Sequence, residues 1–170
     1  LIVPLGELIL RGACRQAKEW VDLGYADLKI AVNFSAKQFS QGDLVHTLQS
    51  ILQETGLNPK NLKMEITEYT VMNDTKKTVE MMRQLTAMGV EISIDDFGTG
   101  FSSLSYLKNF PVHTLKIDKS FVDSLLEKEE DAVFIRTIIG IAKSLNLELI
   151  AEGVETKEQL EFLRNEGCFM

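Results

Sequence analysis

The stretch EISIDDFGTGFSSL, Glu91 to Leu104, ends a short apolar run on two adjacent aspartates, Asp95 and Asp96. A loop with glycines at 98 and 100 follows. Adjacent carboxylates repel, and taking them out of water without a cationic partner costs several kcal/mol. Other polar residues stand in equivalent places. Short apolar runs end at Asn33, at Glu65 with Glu68 behind it, at Lys116 and Asp118, and at Glu152 with Glu155 just beyond. An amide and several carboxylates form a hard oxygen donor set, which suits Mg²⁺, Mn²⁺ or Ca²⁺. Paired ions of this kind stabilise the attacking and leaving oxygens of a displacement at phosphorus. Their charge would also neutralise the aspartate pair. No cysteine or histidine joins the set, and His46 and His113 fall outside it, which argues against a zinc protease or deaminase.

Each residue alone has a simpler use. A lone aspartate at a strand end is ordinarily a turn or N-cap residue. Glu68 and Glu155 suit the first turn of a helix, where the dipole favours acids. Lys116 by itself reads as a snorkelling surface lysine, and Gly98 and Gly100 as plain turn formers. The methionines at 81, 82 and 88 read as helix packing. The acidic run Glu127 to Asp131 reads as a solvated turn. It is the recurrence of such residues at five strand ends that points to a site.

The elements that must carry them alternate. LKIAVNFS (Leu28 to Ser35), LKMEIT (Leu62 to Thr67), VEISID (Val90 to Asp95), TLKID (Thr114 to Asp118) and LELIAE (Leu147 to Glu152) read as strands. Between them apolar residues recur three or four apart, predicting helices over 5–23, 44–55, 71–88, 132–145 and 157–165. Gly24, Gly56 and Gly89 stand where helices should end. Strand–helix alternation implies an α/β fold with a parallel sheet, whose strand C-terminal ends share one edge, the place where such proteins keep their sites. Five strands are too few for a closed eight-stranded barrel of roughly 250 residues. The sheet is thus either open or part of a barrel, and the expectation is a single domain over residues 1–170, a (βα)₈ TIM-barrel-like fold incomplete at both ends.

Bulk composition narrows the function classes. The 170 residues are 45% hydrophobic and 25% charged, ordinary for a folded domain. A net charge of −7 offers no broad basic face for duplex nucleic acid. Cys14 and Cys168 are unclustered, which suggests a reducing compartment. With no apolar run near membrane-span length and no signal peptide, the cytoplasm is the expected location, with anchoring through other segments left open.

At the motifs VNFSAKQF, MEITE, SIDDFGTGFSSL, LKIDKSFV and IAEGVET, the chain resembles EAL-type cyclic di-GMP phosphodiesterase domains, in the family's order and spacing. The resemblance implies hydrolysis of one phosphodiester of cyclic di-GMP to linear pGpG, with two Mg²⁺ or Mn²⁺ ions. It assigns Asn33, Glu65 and Asp95 as metal ligands, with Asp96 joining Asp95 around the second ion. It gives Lys116 the attacking water and Glu152 the role of base. Glu68 would brace the loop after Asp96, and Glu155 would support the site. The loop Phe97 to Leu104, with neighbouring helices, would mediate a homodimer, and sensor or GGDEF-type cyclase domains would accompany this one. The family's Glu-Ala-Leu motif and its Gln-Gly-x-x-Phe strand do not occur in these residues, and Phe101 stands where Tyr is common. The 170 residues alone are accordingly expected to be weakly active or inactive. The alternative expectation is a degenerate domain that binds cyclic di-GMP or a protein partner without cleaving.

Overall fold

The computed structural model describes residues 2–40, 43–72, 75–100 and 107–169. Five strands alternate with helices in an α/β fold: β1 (Ile30–Phe34), β2 (Leu62–Thr67), β3 (Glu91–Phe97), β4 (Thr114–Ile117) and β5 (Glu148–Ala151). The chain forms two compact units, Leu1–Ile92 and Ser93–Met170.

In the first unit, β1 and β2 pair in parallel, with Val32 opposite Met64, Asn33 opposite Glu65 and Phe34 opposite Ile66. Leu62, Met64 and Ile66 are almost wholly buried, as a strand covered by helices requires. The helix Ile2–Asp22 buries Leu10, Cys14 and Ala17, spaced by four and three, and packs on the helix Leu44–Thr55. That second helix buries Leu48, Ile51 and Leu52. It ends at Gly56 in the left-handed region (φ 69°), whose N–H returns to the Leu52 carbonyl. Asn61 sets the strand pairing from outside the ladder. Its amide donates to the carbonyls of Ala26 and Leu28 at 2.9 and 2.7 Å, tying the approach to β1 to the start of β2.

In the second unit, β3 pairs in parallel with β4, and β4 with β5. All four residues of β4 are buried. The helix Glu129–Leu145 lays Ala132, Ile135, Ile138, Ile139 and Ala142 along one buried stripe. Its first turn carries Glu129, Glu130 and Asp131, and Lys143 lies in its last, so both ends match the dipole. The acidic run predicted as a solvated turn thus supplies the start of this helix, three residues before the predicted onset. The helix Lys157–Glu166 opens with a capping box between Thr156 and Gln159.

The strands lie within two residues of their predicted bounds, and 62–67 is reproduced in full. The predicted helix over 71–88 corresponds to two helices, Glu68–Met72 and Thr75–Ala87, the first beginning at Glu68 itself. Two short helices, Ala36–Ser40 and Lys119–Ser124, were not anticipated. Among the described residues no helix is long and apolar enough to cross a membrane. Cys14 and Cys168 are both buried and are not joined in a disulfide.

Candidate functional site

The sheet register answers why two aspartates stand side by side. Ile94 pairs with Leu115 and Phe97 with Ile117, so Asp95 and Asp96 together oppose Lys116 alone. That is a β-bulge, which re-aims side chains without ending the strand. Asp96 takes up the extra length with a left-handed backbone (φ 53°), unusual for a residue other than glycine. Gly98 follows at φ 103°, and the Thr99 N–H and hydroxyl both donate to the Asp96 carbonyl, at 3.3 and 2.9 Å.

Lys116 is 7% exposed, and its ammonium lies between two carboxylates, 2.9 Å from Asp95 Oδ1 and 2.6 Å from Glu152 Oε1. Glu152 is delivered there because β5 pairs with β4, Ile150 opposite Lys116, and the Glu152 N–H then donates to the Ile117 carbonyl. A buried lysine paired twice is no snorkelling surface group. Its neighbours Thr114, Leu115 and Ile117 are buried, and its charge is satisfied inside the fold.

Asp96 and Asp118 form the second part of this cluster. Burial, and then the charges of Asp95 and Asp118, push the Asp96 carboxyl above the ordinary carboxylate range, with a hydrogen bond to Asp118 and the Glu152 charge adding to this. Asp118 is held low, chiefly by the hydroxyl of Ser120, whose N–H also donates to it at 3.0 Å. Asp118 is thus at once the N-cap of the helix Lys119–Ser124 and a partner of Asp96. It had been noted at its strand end but not chosen as a site residue. The signal that could have found it is the Lys-x-Asp spacing: from a strand end, a residue two along from Lys116 returns to the same face.

Glu155 does not join this cluster. It is exposed and pairs with Lys119 at 2.7 Å, which lowers its carboxyl and raises the Lys119 ammonium. In the first unit, Asn33 is exposed beside its register partner Glu65, which is 8% exposed, and Glu68 is buried at the start of its helix. Of the loop expected to brace and dimerise, Phe101–Leu104 lie outside the described residues.

Among the described residues, no group of three or more His, Cys, Asp or Glu side chains is drawn together as a ready metal cage. The donor chemistry nonetheless fits a hard cation. Burial, and then the neighbouring carboxylates, raise Asp96; a cation would relieve the carboxylate repulsion, and every candidate donor is oxygen.

Comparison with known proteins follows the same residues. Over 168 residues the chain is 48% identical to the bifunctional diguanylate cyclase/cyclic di-GMP phosphodiesterase MucR of Pseudomonas aeruginosa; this covers 99% of the chain but only 24% of MucR. It superposes on a structure of the PaMucR phosphodiesterase in complex with c-di-GMP with a TM-score of 0.96, at 48% identity, covering 99% of the chain and 68% of that structure. A more distant match, Klebsiella pneumoniae BlrP1 with manganese and cyclic di-GMP, has a TM-score of 0.86 at 25% identity, covering 97% of the chain and 42% of that structure. The EAL domain family model matches residues 1–170 from end to end. With the strand-end acids, the paired aspartates and their lysine all in that frame, the chain belongs to the EAL domain family.

Proposed function

We propose that this chain is the core of a single phosphodiesterase domain that hydrolyses cyclic di-GMP to linear pGpG. The observation that carries the reading is Lys116 buried between Asp95 and Glu152 beside the raised Asp96 carboxyl. Asn33, Glu65, Asp95 and Asp96 would be ligands to two divalent ions, Mg²⁺ or Mn²⁺. When bound, such ions supply an acidified water and charge stabilisation at the phosphoryl oxygens.

The chain's own residues do the rest. The Lys116 ammonium, fixed by two carboxylates, orients the attacking water through a hydrogen bond. Glu152, 37% exposed at its side chain, has the access to accept that water's proton. The water oxygen bonds to phosphorus, one P–O ester bond breaks, and the ring opens to the linear dinucleotide. Glu155 supports the site by holding the segment after β5 against Lys119. Glu68, from the helix after β2, braces the fold around its strand end.

The domain acts as a homodimer in this proposal, through the loop after Asp96 and nearby helices. Leu126 and Val133, 55% and 52% exposed, leave apolar groups on the surface of the second unit. The cytoplasm fits two cysteines not joined in a disulfide, and the fourfold greater length of MucR leaves room for sensor or cyclase domains.

The test places the chain within the MucR phosphodiesterase domain, in exchange for the residues it matches, and follows pGpG formation. The expected result is turnover that Asp95→Asn reduces by about 100-fold or more. Tight binding of cyclic di-GMP with no cleavage would instead show a receptor.

A further inference from the structure

Asp96 sits in a backbone conformation that it does not favour by itself, and something must hold it there. The turn that follows closes on the Asp96 carbonyl through Thr99 and passes through Gly98. Behind Gly98 stand two aromatic rings. A Cβ placed on Gly98 would lie 2.6 Å from Cε1 of Phe134 and 3.1 Å from Cε2 of Phe121. These rings stack on one another, centroids 4.6 Å apart and planes tilted by 39°. Phe121 comes from the short helix that Asp118 caps, and Phe134 from the long helix Glu129–Leu145. Two residues of different helices therefore close on a backbone position that admits them because it carries no Cβ, two residues after Asp96.

We propose that Phe134 is a positioning residue for Asp96. Its ring, backed by Phe121, fills the space behind Gly98 and fixes the turn. The turn in turn keeps the bulge that sets Asp95 and Asp96 opposite Lys116. This ties the long helix to the acidic pair through packing alone: any displacement of Glu129–Leu145 that withdraws the ring loosens the carboxylate. Interiors transmit such shifts because close-packed groups have no slack to absorb them. The inference rests on the proposed role of Asp96 as a divalent-ion ligand.

The experiment measures Mn²⁺ affinity by titration calorimetry of the chain carried in the MucR domain, as the parent chain and as Phe134→Ala, Phe134→Leu and Thr137→Ala. Thr137 is an exposed residue of the same helix. Melting curves accompany each titration. Phe134→Ala is expected to weaken Mn²⁺ binding by about tenfold, the effect typical of removing a group that orients a ligand. Phe134→Leu, which refills the space, restores most of it, and Thr137→Ala leaves it unchanged. A Phe134→Ala protein that melts lower yet binds Mn²⁺ like the parent would overturn the positioning role and leave the function reading intact. A parent chain that binds no Mn²⁺ at all would overturn both. Should Phe134→Ala fail to fold, Phe134→Val and Phe121→Val, which leave part of the space behind Gly98 empty, decide the matter: a several-fold loss of Mn²⁺ affinity in the folded variants supports the clamp, and parent-like affinity in both contradicts it.

Discussion

Lys116 carries the proposed chemistry and, in the second unit, holds Asp95 and Glu152 together. Replacing it by methionine keeps the stem and removes the charge, leaving Asp95 and Glu152 facing each other without their cation. Breaking a buried pair in this way typically costs 3–5 kcal/mol, but Glu152 is partly solvated, so about 2 kcal/mol is expected in urea unfolding. Turnover of cyclic di-GMP should fall by about 100-fold in the same variant. Full activity with Lys116→Met would remove the lysine from the mechanism. A second residue-scale prediction concerns Cys14, wholly buried in its helix, where burial raises the thiol from 9.0 to about 11. The sign follows from linkage: the unfolded thiol ionises first, so stability is full below pH 9.0 and falls as pH rises toward 11. Melting temperatures at pH 8 and pH 10.5 should show this decline, and Cys14→Ala should flatten it. At this scale most of the site could be read from residue type and place. Lys116 needed its surroundings, because a lysine between apolar neighbours looks the same whether it snorkels or is paired within. Asp118 was passed over because capping is the ordinary use of an aspartate before a helix. Here it caps and pairs with Asp96 at once.

The elements position these residues by devices of different legibility. Periodicity found all five strands and the long helices, since burial of one face is what the pattern records. It missed Lys119–Ser124, a helix of six residues too short to show a period. It misjudged Glu127 to Asp131 because a cluster of acids resembles a solvated turn, while the dipole makes it an equally good helix start. The bulge at Asp95 and Asp96 left no mark beyond the doubled aspartate; a register shift depends on the partner strand. The segment after β5 is pinned on its inner side by Gln159. Gln159 accepts from the N–H groups of Glu155 and Thr156 at 2.9 and 3.0 Å, and donates to the Val122 carbonyl at 3.1 Å. It is 7% exposed, and its loss takes a hydrogen-bond partner from three backbone groups at once. Gln159→Ala should cost about 2 kcal/mol, more than an ordinary cap, as read by chemical denaturation. Because the same segment carries Glu152 and Glu155, cyclic di-GMP turnover should fall with it. A loss below 0.5 kcal/mol, about the size of an indifferent surface change, would show that the segment holds itself.

At the scale of the molecule, family membership came from motif order, which spans both units, whereas the donor geometry came from the structure. Composition argued against a broad basic face but could not select a ligand, because charge totals carry no arrangement. The account as a whole holds that strand-end oxygens exist to bind divalent ions and that Lys116 and Glu152 act on a water beside them. The most direct test is cyclic di-GMP turnover by the chain carried in the MucR domain, first with EDTA, then with Mn²⁺ restored, for the parent and for Asp95→Asn. The account predicts no pGpG with EDTA, recovery with Mn²⁺, and little or no recovery in the variant. Hydrolysis that persists in EDTA, or that Asp95→Asn leaves untouched, would contradict it.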